Sequence, residues 1–341
     1  MTIPFAILTG MGLGYIVERG DFCFHSTWRD MLRQPRQPDL FRAYLLLLLI
    51  SVPTVQGLIA LGWIEPWIPP FSWKANLFGG LLFGVGMVVA ATCITGIFYK
   101  LGHGMLGMIV ALAAWALGDM VTYLGPLAPV REALVAAPVT VNGESATLLN
   151  AFGWPGMVLL GALGVGTAVY LYRSSRPSRG KLWDWLRLGV VMGLFMSVAW
   201  LLARAGGSNY TFGTSGVPSG IFAAITEPGS RDLAALWIPI TLIFVIPGAL
   251  IASKRAGTLW VRGETNRRYA QLAVGGFIMG VGAAIAGGCN LGHGMVGVSL
   301  LSLGSITSTG SIIAGVFLAD RALKLWQKWV KERMDTLPVN R

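Results

Sequence analysis

Three thiols, Cys23, Cys93 and Cys289, hold the chemical interest of this sequence. Two of them end nearly the same phrase. Gly79-Gly80 leads through Gly84-Val85-Gly86 to Cys93, and Gly275-Gly276 leads through Gly280-Val281-Gly282 to Cys289. The offset is a constant 196, and seven of the fifteen positions are identical. Glycine, glycine and cysteine recur every seven residues, so a helix would carry all three on one face. Each copy is expected to be a helix with a glycine groove and a thiol at its far end. A second signature follows each thiol, Gly102-His103-Gly104-Met105 and Gly292-His293-Gly294-Met295, which makes His103 and His293 a matched pair. Cys23 stands apart, in Arg19-Gly20-Asp21-Phe22-Cys23-Phe24; the second half has Tyr210-Thr211-Phe212-Gly213 at the corresponding place.

A free cysteine in apolar surroundings is often no more than a small hydrophobe. Symmetric placement before a glycine break argues for function in Cys93 and Cys289. A neutral thiol is a weak donor and a soft, polarizable group, suited to a soft anionic sulfur. Thiolates would repel an anion, and an apolar setting favours the neutral thiol. Short half-helices would add backbone N–H groups and positive dipole ends for an oxyanion. Thiosulfate offers both a terminal sulfur and a face of oxygens. A soft-metal site is the competing chemistry, yet there is no C-x-x-C and the histidines are only His25, His103 and His293. No Walker motif or Ser/His/Asp arrangement stands out. No metal or cofactor is expected.

The elements that must position these thiols are membrane helices. The 341 residues are 54% hydrophobic and 12% charged, with mean hydropathy +0.65, where soluble domains carry about 25% charge. The net charge of +11 does not indicate a nucleic-acid partner: Lys and Arg sit in short breaks between apolar runs, the pattern of membrane topology. The 46 glycines fit close helix packing or broken helices. The odd cysteine count argues against a disulfide framework, and the first apolar run lacks the basic flank of a signal peptide.

Nine runs approach the length needed to span a bilayer: 3–17, 40–63, 75–93, 105–124, 152–172, 186–203, 233–252, 272–289 and 295–319. Basic residues fall in alternate breaks. Arg29, Arg33, Arg36 and Arg42 follow the first run; Arg173, Arg176, Arg179, Lys181 and Arg187 the fifth; Lys254, Arg255, Arg262, Arg267 and Arg268 the seventh; Arg321, Lys324, Lys328, Lys331, Arg333 and Arg341 the last. The loops Ile64–Trp73, Gly125–Asn150 and Glu227–Asp232 are poor in them. This places the N-terminus outside and the C-terminus inside. The two thiol helices then run in opposite directions, an inverted repeat. The expected division is a first half at 1–125, a periplasmic loop and connecting helix at 126–185, an inverted second half at 186–320 and a cytoplasmic tail at 321–341. Gly20–Leu32, Gly206–Ile225, Ile94–Gly104 and Asn290–Gly294 are expected to be re-entrant. Asp320–Arg333 has the spacing of an interfacial amphipathic helix.

Charges at apolar depth are costly and need a partner or a role. Asp119 and Asp320 hold similar places near the ends of the fourth and ninth runs, which favours pairing or capping. Glu18, Arg19, Arg29 and Asp30 flank Cys23 and could pair or lead an anion inward; Lys100 and Arg204 are weaker candidates.

These motifs resemble the YeeE/YedE family of sulfur-compound membrane transporters, most of all its thiosulfate-uptake members. The resemblance rests on Arg19-Gly20-Asp21-Phe22-Cys23-Phe24 with Arg29-Asp30, on Gly79-Gly80 through Gly86 to Cys93 with Gly96, and on Gly275-Gly276 through Gly282 to Gly287-Gly288-Cys289-Asn290 with Gly292. It implies an all-α inverted-repeat membrane fold with re-entrant helices meeting at mid-membrane, in a bacterial inner membrane. It also implies thiosulfate recognition by Cys23, Cys93 and Cys289. The residues themselves offer Glu18, Arg19, Arg29, Gly96, Lys100, His103, Asn290, Gly292 and His293 as candidate supporting positions. A separate TusA-like sulfur-carrier protein is the partner it implies. The rival readings are transport of another sulfur or selenium compound, and a membrane sulfurtransferase or redox protein with a reactive cysteine.

Overall fold

The computed structural model describes residues 2–32, 35–175, 180–226 and 236–335. Arg33, Arg176, Arg179, the loop Glu227–Asp232 and the start of the run expected from Leu233 lie outside the described residues. The regular structure of the described chain is helical apart from a small hairpin, Thr140–Val141 with Glu144–Ser145.

The helices run in order: α1 Thr2–Gly20, α2 Phe24–Arg29, α3 Asp39–Ala60, α4 Trp73–Ala90, α5 Ile94–Gly102, α6 Met108–Tyr123, α7 Ala128–Val135, α8 Leu148–Tyr172, α9 Trp185–Ala205, α10 Val217–Thr226, α11 Trp237–Ala256, α12 Asn266–Ala286, a π-helix Asn290–Gly297, and α13 Leu303–Asp335. Side-chain oxygens start several of them. Asp184 accepts from Arg187 N, Thr265 from Arg268 N, and Thr147 forms a capping box with Asn150.

Among the described residues seven helices are long and apolar enough to cross a membrane, or eight if α6 and α7, bent by 68°, count as one span. The protein is a multi-pass membrane protein. The expected count of nine is not reached. The difference lies in α1, which has 19 residues but closes on Glu18 and Arg19. Nor does the tail form a separate interfacial helix. It continues α13 without a break to Asp335, giving 33 residues, about 50 Å of helix against a hydrocarbon core of about 30 Å. The four stretches expected to be re-entrant hold α2, α10, α5 and the π-helix.

Contacts exchange between the two halves. α1 packs along α11 and α3 along α9; α6 packs on α12 and α13 on α4. At the centre α4 crosses α12. A Cβ on Gly79 would strike Ala286 and the Gly282 carbonyl, and one on Gly86 would strike Met279 and the Gly275 carbonyl. The two helices are therefore antiparallel, and the repeat exchanges one pair for the other: 79 becomes 275 on adding 196, and 282 becomes 86 on subtracting it. Only glycine admits such backbone approach. The same exchange relates Gly80, against Ser308 and Ser311, to Gly276, against Ala111. By contrast α8 is nearly bare: Gly156 and Leu171 are its buried residues.

Candidate functional site

Each thiol occupies the N-cap of a short helix: Cys23 of α2, Cys93 of α5, Cys289 of the π-helix. This corrects the expectation that the thiols end the long glycine helices. α4 stops at Ala90 and α12 at Ala286, because the next residue of each takes the left-handed conformation, Ala91 at φ 45° and Gly287 at φ 80°. That turn throws Cys93 and Cys289 off the glycine face and onto the start of the next helix. The sulfurs then act as caps. Cys93 Sγ accepts from Gly96 N at 3.3 Å and Cys289 Sγ from Leu291 N at 3.3 Å. Three helix N-termini thus present their N–H ends beside soft sulfur.

Cys23 and Cys93 form a close pair, with their sulfurs 3.5 Å apart. Both are free and 1% exposed. Thr92 Oγ1 lies 4.0 Å from Cys23 Sγ and receives a hydrogen bond from Lys100 Nζ at 3.2 Å. Gly96 is part of this cluster, since a Cβ there would meet Thr92 Oγ1 and stand 3.0 Å from Cys23 Sγ. Cys289 sits elsewhere, with the Gly292 N–H and the Thr214 hydroxyl beside it. Asn290, next in the chain, ties the segments together. Its Oδ1 accepts from Trp28 Nε1 of α2 at 3.4 Å, and its Nδ2 donates to Met87 Sδ of α4 at 3.0 Å.

The remaining supporting positions serve other partners. Glu18 Oε1 and His103 Nδ1 are 2.6 Å apart and join the ends of α1 and α5. Arg19 lies over Trp183, and its carbonyl accepts from Trp183 N. Arg29 pairs with Asp320 at 2.9 Å, away from the thiols. His293 donates from Nε2 to the Ala286 carbonyl at 3.0 Å, so its Nδ1 accepts from Ser305 Oγ at 2.9 Å; both ring nitrogens are used. The two Gly-His-Gly-Met motifs are not structural equivalents: His103 caps the end of α5, whereas His293 lies inside the π-helix. Their offset is 190, not the 196 of the repeat. The aspartates do pair and cap. Asp119 accepts from Gly216 N at 2.8 Å and from Ser219, at the start of α10, while Asp320 holds Arg29 and Lys324. Arg204 donates to the Gly62 carbonyl at 2.8 Å.

A cavity of about 580 Å³ reaches the glycine turn around Cys289 and is lined by Asn76, Arg131, Tyr210, Thr214, Gly288 and Gly292, among others. Arg131 stacks on Tyr123 at 4.2 Å and donates to the Ala284 carbonyl at 3.0 Å. The Thr214 hydroxyl is fully buried and has no partner at hydrogen-bond geometry. Tyr210 donates to the Gly292 carbonyl at 2.9 Å. The spacing of the repeat gave no sign of Thr92, Thr214 or Arg131. They fall outside the identical positions, and a hydroxyl beside a glycine break has no periodic signature. Among the described residues no group of three or more His, Cys, Asp or Glu side chains could hold a metal ion.

Buried sulfurs at helix N-termini, with a cavity that includes Arg131 and Gly288 in its lining beside one of them, suit a small anion with a soft end. Comparison with known proteins points the same way. The family described as sulphur transport matches residues 19–318. The chain is similar to the thiosulfate transporter TsuA of Spirochaeta thermophila, 27% identical over 91% of this chain and 95% of that one. It is similar to the thiosulfate transporter TsuA of Escherichia coli at 25% identity over 98% of each. The probable transporter YedE of Escherichia coli matches over 104 residues at 35% identity, covering 30% of this chain and 24% of that one. With nearly the whole chain matched, from the motif before Cys23 to the end of the second half, this protein belongs to the sulphur-transport family.

Proposed function

We propose that the protein imports thiosulfate and passes the ion between Cys289 and the Cys23–Cys93 pair. The observation that carries this reading is the division of the thiols: Cys289 directly follows Gly288, which lines a cavity, whereas Cys23 and Cys93 pair in the buried interior with their sulfurs 3.5 Å apart. Each thiol offers a weak donor to sulfur, so each contact releases as readily as it binds, which conduction requires. The TsuA relatives support thiosulfate as the ion. The basic loops support a cavity open to the outside, an N-terminus outside and a C-terminus inside, in a bacterial inner membrane. Antiparallel packing of α4 on α12 supports two inverted halves, 1–125 and 186–320, joined through 126–185. A sulfur-carrier protein of the TusA kind on the cytoplasmic face would accept the product; this partner rests on the family resemblance alone.

Radiolabelled thiosulfate uptake into proteoliposomes tests the relay. Cys93→Ala and Cys289→Ala are expected to lower the rate by an order of magnitude or more while the protein remains monodisperse. Wild-type rates in both variants would remove the thiols from the path.

A further inference from the structure

The repeat is symmetric in backbone and lopsided in charge. Adding 196 to Thr92 gives Gly288, and adding 196 to Lys100 gives Val296. At the repeat-related positions, then, neither the threonine nor the lysine beside the Cys23–Cys93 pair has a counterpart. Lys100 lies in the last turn of α5, and helical side chains lean toward the helix N-terminus, which brings Nζ back to Thr92 Oγ1 at 3.2 Å. It forms no ion pair among the described residues. The neighbouring carboxylate, Asp21, accepts instead from Tyr99 at 2.8 Å. A half-buried ammonium without a carboxylate is costly in apolar surroundings unless something anionic visits it.

A second observation is independent of the lysine. His25, two residues after Cys23, is 4% exposed and its Nε2 has no hydrogen-bond partner. A buried ring nitrogen left unpaired costs stability until a ligand meets it. His25 lies in the first turn of α2, the helix whose N-cap is Cys23.

We propose that Lys100, Thr92 and His25 form an oxyanion subsite beside the Cys23–Cys93 pair, so that the substrate is held by its charged oxygens at one end and its terminal sulfur at the other. The inference rests on the thiosulfate reading and deepens it by assigning the two ends. The Lys100 ammonium and the Thr92 hydroxyl take the oxygens; the two thiols take the sulfur. Sulfur alone then does not suffice at this subsite. A soft anion without oxygens, such as hydrosulfide, lacks the second hold, and sulfate lacks the first.

The experiment measures uptake and equilibrium binding of radiolabelled thiosulfate by the full chain, comparing Lys100→Met, Lys100→Arg, Thr92→Val, Thr92→Ser and His25→Leu with wild type. Lys100→Met keeps the stem and loses the charge; KM is expected to rise about tenfold or more, the loss of a hydrogen bond to a charged group. Lys100→Arg and Thr92→Ser should stay within a few-fold of wild type, while Thr92→Val and His25→Leu move with Lys100→Met. Competition by hydrosulfide should be unchanged in Lys100→Met. Folded Lys100→Met and Thr92→Val proteins with wild-type KM and wild-type binding would overturn the subsite and leave the transport reading standing. Should wild-type protein show no thiosulfate uptake, the transport reading fails. Binding then decides the subsite: Lys100-dependent binding of thiosulfate upholds it, and binding that is absent or indifferent to Lys100 overturns it.

Discussion

Ala91 and Gly287 hold the same turn with different residues. Both follow a glycine helix, both are left-handed, and both turn the chain onto a cysteine. A side chain at such a φ costs about 1 kcal/mol or more, and alanine bears that cost in the first half. Ala91→Gly is expected to raise the thermal midpoint of the detergent-solubilised protein by a few degrees, and Gly287→Ala to lower it by a similar amount. The opposite pair of shifts would mean that the turn is not strained. The glycine-to-cysteine spacing was legible because the repeat prints it twice. The turn itself was not, because alanine does not announce a left-handed backbone. The histidines misled for a related reason. Identical four-residue words looked like equivalents, yet a shift of six positions against the repeat sends one to a helix end and the other into a helix body. The unpaired nitrogen of His25, and the Lys100 ammonium without a carboxylate partner among the described residues, emerge only when their neighbours are known.

The α4–α12 crossing is the element most exposed to overpacking. Gly79, Gly86, Gly275 and Gly282 each lie against the partner's backbone, which cannot rotate aside as a side chain can. Gly86→Val or Gly282→Val is expected to destabilise by about 1–3 kcal/mol or more, read as loss of the monodisperse peak and a lower thermal midpoint. Gly161→Val on α8 is the control: nothing lies within 4 Å of a Cβ there. Equal loss from all three substitutions would show that glycine content, not the crossing, matters. At this scale the apolar runs gave most of the helices. They failed at ends, where α13 overruns its span and α1 carries charge into its last turn, because hydropathy registers solvent preference and is blind to helix continuity.

Over the whole molecule, the packing partners of each half lie mainly in the other: α1 on α11, α3 on α9, α6 on α12, α13 on α4. The fold is an interlock of helices from the two ends of the chain, and α8 links them with few contacts of its own. Contact exchange of this kind is invisible to a linear reading, although the charge pattern and the 196-residue offset together anticipated that α4 and α12 run in opposite directions.

The bareness of α8 has a consequence for how freely that part of the sequence can drift. A helix with so few protein neighbours answers to lipid and to length, not to fit. Exchanging Gly153–Tyr172 for an unrelated apolar helix of equal length should leave uptake and thermal midpoint unchanged, whereas the same exchange at Trp73–Ala90 should abolish both. Covalent continuity between the halves is then a convenience of synthesis: two genes, each encoding one half, could build the same interlocked body by meeting in the bilayer.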